Sequence, residues 1–177
     1  MARKRSNNKR TKHYNKYLHA KLRNSSAIGF NQKDIVIEIT EEVVEDIARR
    51  VQVDGPEDVG VIFGSVIEGG HIRINKLSET CALQRTKYKC ILDASIANEV
   101  IKEEFENSNQ TRVFVGEWHT HPEEYPTPSY MDVQSIAKDF KTVGEGVGGL
   151  ILLIIGQKGN YFAFYDGQLS IVNPKVV

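Results

Sequence analysis

The sequence lacks the features that mark several protein classes. Its 177 residues include only two cysteines, Cys81 and Cys90, which is too few for a disulfide framework and favours a reducing compartment, so we expect a cytoplasmic protein. The longest apolar run, Val147–Ile155, is interrupted by two glycines and is too short to cross a bilayer. No apolar stretch follows the charged N-terminus, so neither a signal peptide nor a membrane contact is expected.

Acidic residues are absent from positions 1–30, which hold nine Lys and Arg residues, whereas the remainder carries a net charge of −9. We therefore predict a basic, flexible arm over residues 1–30 and one acidic domain over residues 31–177. The arm's composition is typical of a solvated tail. Binding of nucleic acid or of an acidic partner through the arm is the alternative, and nucleic acid is not predicted. The hydrophobic content of 40% excludes global disorder.

The pattern of apolar residues predicts an α+β domain. Helical spacing indicates helices from Glu41, over Ala94–Asn107 and over Ser129–Phe140, and Thr40 can cap the first of them. Short β-branched and aromatic runs, most of them separated by turn residues, indicate hairpin-linked strands between and after these helices. Because strands and helices are mixed in this order, α+β is favoured over a doubly wound sheet.

Two histidines follow a strand-like segment, Arg112–Trp118. In an extended chain, the side chains of His119 and His121 point the same way and direct two imidazoles at one point. Pro122 discourages the strand from continuing. A histidine pair beside a proline-rich turn is by itself more often structural than metal-binding.

A serine and an aspartate at fixed spacing strengthen the metal interpretation. Ser129 is placed to cap the next helix, which puts Asp132 in its first turn. Two imidazole nitrogens and one carboxylate suit zinc. Three protein ligands leave a fourth position for water, which is the pattern of catalytic rather than structural sites.

This arrangement resembles the JAMM motif of the JAB/MPN metalloprotease superfamily. In it, seven residues separate His119-Thr120-His121 from Ser129, and two more separate Ser129 from Asp132. The resemblance runs from about residue 34 to the C-terminus and is greatest to the bacterial single-domain branch. It implies a single JAB/MPN, cytidine-deaminase-like domain with a central, curved, mostly antiparallel sheet flanked by helices.

The family also has a glutamate just before an apolar strand, and Glu57 precedes such a strand here. By this resemblance, His119, His121 and Asp132 would bind Zn²⁺, which lowers the pKa of a bound water to about 7. Glu57 would be the general base and Ser129 would hydrogen-bond the oxyanion.

Three other acids compete with Glu57 for the role of base. Glu117 shares strand parity with His119, and Glu123 and Glu124 closely follow His121. Glu57 is favoured because the motif places the base on a separate strand end, within reach of the water.

The resemblance implies a zinc isopeptidase that acts on a ubiquitin-like protein or its conjugates. Members of this branch occur beside E1- and E2-like enzymes, including antiphage systems that conjugate a cGAS-like nucleotidyltransferase. Two alternatives remain open: a nucleic-acid-associated protein of the RadC type that uses the basic arm, and a non-catalytic MPN scaffold. Ser78–Leu92 is the candidate groove for the substrate tail. Trp118 is predicted to lie in the core, and both cysteines are predicted to be buried thiols.

Overall fold

The computed structural model describes residues 35–67, 70–143 and 147–177. Within these residues, eight strands form one mixed sheet in the order β10-β1-β3-β2-β6-β7-β8-β9, and β4 and β5 pair as a separate hairpin. Four of the seven pairings in the large sheet are antiparallel. The predicted α+β class and mostly antiparallel sheet are confirmed.

The elements follow one another in a simple order along the chain. The strands are β1 (Val36–Ile39), β2 (Val59–Ile67), β3 (His71–Leu77), β4 (Ala82–Thr86), β5 (Lys89–Leu92), β6 (Val113–Thr120), β7 (Leu150–Ile155), β8 (Asn160–Tyr165), β9 (Leu169–Ile171) and β10 (Lys175–Val176). The helices are α1 (Glu41–Arg49), α2 (Ala94–Asn107) and α3 (Tyr130–Val143).

The sheet buries both of its faces. On one face, Val43 and Ile47 of α1 pack into a core cluster with Trp118 of β6. On the other face, Ala97 of α2 and Ile136 of α3 pack into a second cluster. A sheet covered on both sides explains why β7 reads as a continuous apolar run, with all six of its residues buried.

A β-bulge in β6 decides which face its later residues present. The pairing of β2 with β6 shifts register between Ile62 and Phe63, so that Val115 is an extra residue on β6. Phe114 therefore belongs to the cluster under α2 and α3, whereas Trp118, also even-numbered, belongs to the cluster under α1. Because of this change of parity, the odd-numbered residues after the bulge, including His119, face the side that carries α3.

The structure corrects some local details. Thr40 occupies the N-cap position of α1, but its hydroxyl makes no capping hydrogen bond and is buried without a partner among the described residues. The segment Ser78–Leu92, which has no clear pattern in sequence, contains the β4–β5 hairpin. The predicted arm over residues 1–30 lies outside the described residues. Among the residues described, no helix has both the length and the apolar character needed to cross a membrane.

Candidate metal centre

Three side chains meet where β6 ends and α3 begins. The Nε2 atoms of His119 and His121 lie 3.1 Å apart. Asp132 places one carboxylate oxygen 3.5 Å from the first of these nitrogens and the other oxygen 3.6 Å from the second. The strand register continues just past β6, because the His121 N–H donates to the Ile155 carbonyl at 2.9 Å. This bond keeps His121 on the same side as His119.

These separations bring the three side chains close enough together to hold one metal ion. Ligand atoms about 2.0–2.1 Å from a zinc ion lie roughly 3.3–3.4 Å from one another in a tetrahedral shell. The distance of 3.1 Å between the two Nε2 atoms is close to that value, and each of the two Asp132 oxygens lies 3.5 or 3.6 Å from one of these nitrogens. Among the described residues, one group of side chains with metal-binding atoms is close enough to hold an ion: His119, His121 and Asp132.

Hydrogen bonds around the three side chains set their orientation. His121 donates its Nδ1 proton to Glu123 at 2.9 Å, which leaves the Nε2 lone pair for a metal. Ser129 and Asp132 cap α3 reciprocally: the Ser129 N–H donates to the Asp132 carboxylate at 2.6 Å, and the Asp132 N–H donates to the Ser129 hydroxyl at 3.3 Å. The helix cap therefore also aims the Asp132 carboxylate.

Asp132 is held in its ionised form. Its partial burial alone would raise its pKa, but a hydrogen bond and charge from His119 and two hydrogen bonds from Ser129 outweigh burial and lower the pKa to about 2. A carboxylate that stays ionised at neutral pH is suited to bind a cation.

Glu57 lies beside this group, at the end of the segment that leads into β2. Only 6% of its surface is exposed. Burial, with smaller contributions from the Asp132 and Glu123 charges, raises its pKa to about 6, although His121 and a hydrogen bond from Cys90 act in the opposite direction. A carboxylate with a pKa close to neutrality is suited to accept a proton and release it again.

The other acids have different surroundings. Glu117 is buried on the same face as His119, where burial and a hydrogen bond with Asp139 raise its pKa well above that of a free glutamate. Glu124 pairs with Lys158 at 2.6 Å. Glu123 is hydrogen-bonded to His121, a candidate ligand. Sequence reasoning missed this contact, which the i, i+2 spacing from His121 could have indicated.

The predictions for Trp118 and the two cysteines have different outcomes. Trp118 is fully buried, as predicted, and Cys81 is buried too. Cys90 is only partly buried and lies beside Glu57, a placement that its position in the sequence did not reveal. Burial and the charge of Glu57 raise the pKa of the Cys90 thiol to about 12, so it stays protonated and able to donate a hydrogen bond.

Known proteins resemble this chain in sequence. The family described as "Prokaryotic homologs of the JAB domain" matches residues 40–166. A protein of Vibrio cholerae serotype O1 named CD-NTase/cGAS isopeptidase is 30% identical over 123 residues, which are 68% of this chain and 75% of that protein. A protein of Escherichia coli strain TW11681 with the same name is 41% identical over 54 residues, which are 30% of this chain and 32% of that protein.

The fold has a solved counterpart. The solution structure of a protein from Desulfitobacterium hafniense has a TM-score of 0.57 and 16% sequence identity, and the likeness covers 80% of this chain and 92% of that one. The family match spans most of the chain, including all five residues of the predicted motif. The predicted resemblance is confirmed: this chain belongs to the family of prokaryotic JAB-domain proteins.

Proposed function

We propose that this chain is a zinc-dependent isopeptidase that removes a ubiquitin-like protein from a nucleotidyltransferase of the CD-NTase, cGAS-like class in a bacterial antiphage system. The observation that carries the proposal is the convergence of His119, His121 and Asp132, whose ligand atoms lie within 4.8 Å of one another, beside a buried glutamate with a raised pKa. Two relatives named CD-NTase/cGAS isopeptidase support the substrate class. E1- and E2-like enzymes, as the source of the conjugates, are the expected partners.

His119, His121 and Asp132 would hold the zinc ion. When bound, zinc supplies a Lewis acid that polarises the scissile carbonyl and makes hydroxide available near neutral pH. The donor set fits, since two imidazole nitrogens and one carboxylate leave a fourth position open.

Glu57 and Ser129 would act on the substrate. The ionised Glu57 carboxylate takes a proton from the attacking water and passes it to the lysine amine as the C–N bond breaks. The Ser129 hydroxyl, which accepts the Asp132 N–H and lies beside the Asp132 carboxylate, would turn its proton from that carboxylate to the carbonyl oxygen as negative charge develops there. The products are a free carboxyl and a free amine, and no covalent bond to the protein forms.

Cleavage of a defined conjugate tests this function. The substrate is a ubiquitin-like protein joined through its C-terminal carboxyl to a lysine of a CD-NTase, and mass spectrometry in ¹⁸O-labelled water identifies the products. We expect one labelled oxygen in the released carboxyl and an unmodified lysine. Glu57→Gln should keep the metal and lose turnover by about 10²-fold or more. Cleavage at another bond, or full activity of Glu57→Gln, would contradict the proposal.

A control variant separates the role of Glu57 from a general effect of removing an acid. Glu124→Gln removes a nearby acid that pairs with Lys158. We expect it to cleave the conjugate at the wild-type rate. The alternative nucleic-acid function depends on residues 1–30 and is not proposed.

A further inference from the structure

The β4–β5 hairpin contacts the residue proposed as the general base, although it belongs to a separate sheet. The Glu57 N–H donates to the Thr86 carbonyl at 2.8 Å. Arg85 Nε donates to the Glu57 carbonyl oxygen at 3.0 Å. Both backbone polar groups of Glu57 are therefore bonded to two adjacent residues of β4.

The next residue is held from the opposite side. The Asp58 N–H donates to the Thr120 hydroxyl at 2.9 Å, and the Asp58 carbonyl accepts the Thr120 N–H at 2.9 Å. Thr120 lies on β6 between the two histidines. Glu57 and Asp58 thus form a bridge, with one end on the hairpin and the other on the strand that carries the candidate ligands.

Arg85 contacts both Glu57 and Asp58. While its Nε binds the Glu57 carbonyl, its Nη2 lies 3.2 Å from the Asp58 carboxylate. The planar guanidinium holds its donors in a fixed fork, which fixes the two acceptors relative to each other. Cys90, which pairs with Arg85 across the hairpin, places its thiol 3.7 Å from the Asp58 carbonyl oxygen and beside the Glu57 carboxylate.

We propose that the β4–β5 hairpin positions the Glu57 carboxylate for proton transfer, with Arg85 as the positioning residue. This inference rests on the proposed function, because it assigns Arg85 a role only through the base. Proton transfer needs the carboxylate within hydrogen-bonding reach of the water, and a small displacement of the Glu57 backbone moves it out of reach. Without Arg85, the Glu57 carbonyl and the Asp58 carboxylate lose their shared anchor.

Steady-state kinetics on the isopeptide conjugate described above test the proposal. Arg85→Ala should lower kcat by about 10-fold or more, with KM and zinc content unchanged. Arg85→Lys should recover only part of the loss, because one amine cannot make both contacts. The matched control is Lys89→Ala, which removes a positive charge from the same hairpin at an exposed position and should behave as wild type.

Two kinetic outcomes would overturn the proposal. If Arg85→Ala keeps the wild-type kcat, the hairpin does not position the base. If Arg85→Ala raises KM at constant kcat, then Arg85 contacts the substrate instead.

Hydrogen exchange of the Glu57 and Asp58 amides, measured by NMR on the zinc-loaded protein, tests whether the hairpin holds the Glu57 backbone. This measurement does not depend on catalytic activity. Exchange should be faster in Arg85→Ala and unchanged in Lys89→Ala. Equal protection in all variants would overturn the proposal. A wild-type protein that fails to cleave the conjugate contradicts the proposed function instead, and the exchange measurement still decides whether the hairpin holds Glu57.

Discussion

Neighbouring side chains at the end of β6 point to opposite faces of the sheet. His119 and His121 direct their Nε2 atoms toward Asp132, whereas Thr120 between them bonds Asp58 and the buried side chain of Gln52. The sequence could predict the histidine pair, because alternation along a strand is a local property. It could not predict the partners of Thr120, because they lie 62 and 68 residues away along the chain.

The raised pKa of Glu57 predicts how the rate depends on pH. A general base acts only when ionised, so kcat/KM should rise with pH and level off once Glu57 has lost its proton. The pKa of about 6 sets the upper limit of this midpoint, since the positive charge of bound zinc favours the carboxylate. A pH–rate profile, with zinc content checked at each pH, measures it. A rate that still rises well above neutral pH would contradict this role.

Replacement of Thr120 tests the link between β6 and the Glu57 segment. Thr120→Val removes the acceptor for the Asp58 N–H and the donor to the Gln52 side chain, and leaves both groups without these bonds. We expect a loss of about 1–3 kcal/mol in the free energy of unfolding, measured by urea denaturation. Thr120→Ser keeps the hydroxyl and should lose much less. Equal losses in both variants would mean that packing, not hydrogen bonding, is responsible.

At the scale of elements, regular segments were predictable and irregular ones were not. The helix over Ala94–Asn107 has the predicted bounds because its apolar spacing is local, and the structure adds an N-cap at Asp93. The hairpin β4–β5 was missed because its strands are short and largely exposed, and therefore lack an apolar face. The bulge at Val115, which turns the histidines toward α3, was also missed, although the neighbouring Gly116 is of the residue type that often marks a bulge inside a strand.

The N-terminus of α3 combines a structural and a proposed catalytic role in Ser129. Ser129→Ala should destabilise the protein by about 1 kcal/mol and lower turnover, because it removes both the cap and the hydroxyl. Ser129→Gly should lose only a few tenths of a kcal/mol, since glycine is tolerated as an N-cap, but should lower turnover as much. Thermal unfolding and conjugate cleavage measure the two effects. Wild-type turnover in Ser129→Gly would reduce Ser129 to a cap.

At the scale of the whole molecule, the large sheet assembles the site from distant parts of the chain. The antiparallel pairing of β2 with β6 places Val59 opposite His119. Glu57, two residues before Val59, is thereby brought beside the histidines. The motif spacing allowed these residues to be named in advance through the family resemblance. Their distances, the burial of Glu57 and the contacts of the hairpin depend on strand pairing over long separations, which spacing alone does not determine.

The most direct test of the account is the zinc content of the purified protein, measured by elemental analysis on the wild type, Asp132→Ala and Glu124→Ala prepared in parallel. Because two imidazoles and an ionised carboxylate form the site, we predict about one zinc per chain in the wild type and in Glu124→Ala, and a clear loss in Asp132→Ala. Bound zinc should also raise the free energy of unfolding, by about 4 kcal/mol at a thousandfold excess over Kd. A wild-type protein that holds no zinc after reconstitution, or an Asp132→Ala variant that holds as much as the wild type, would contradict the metal site and the function built on it.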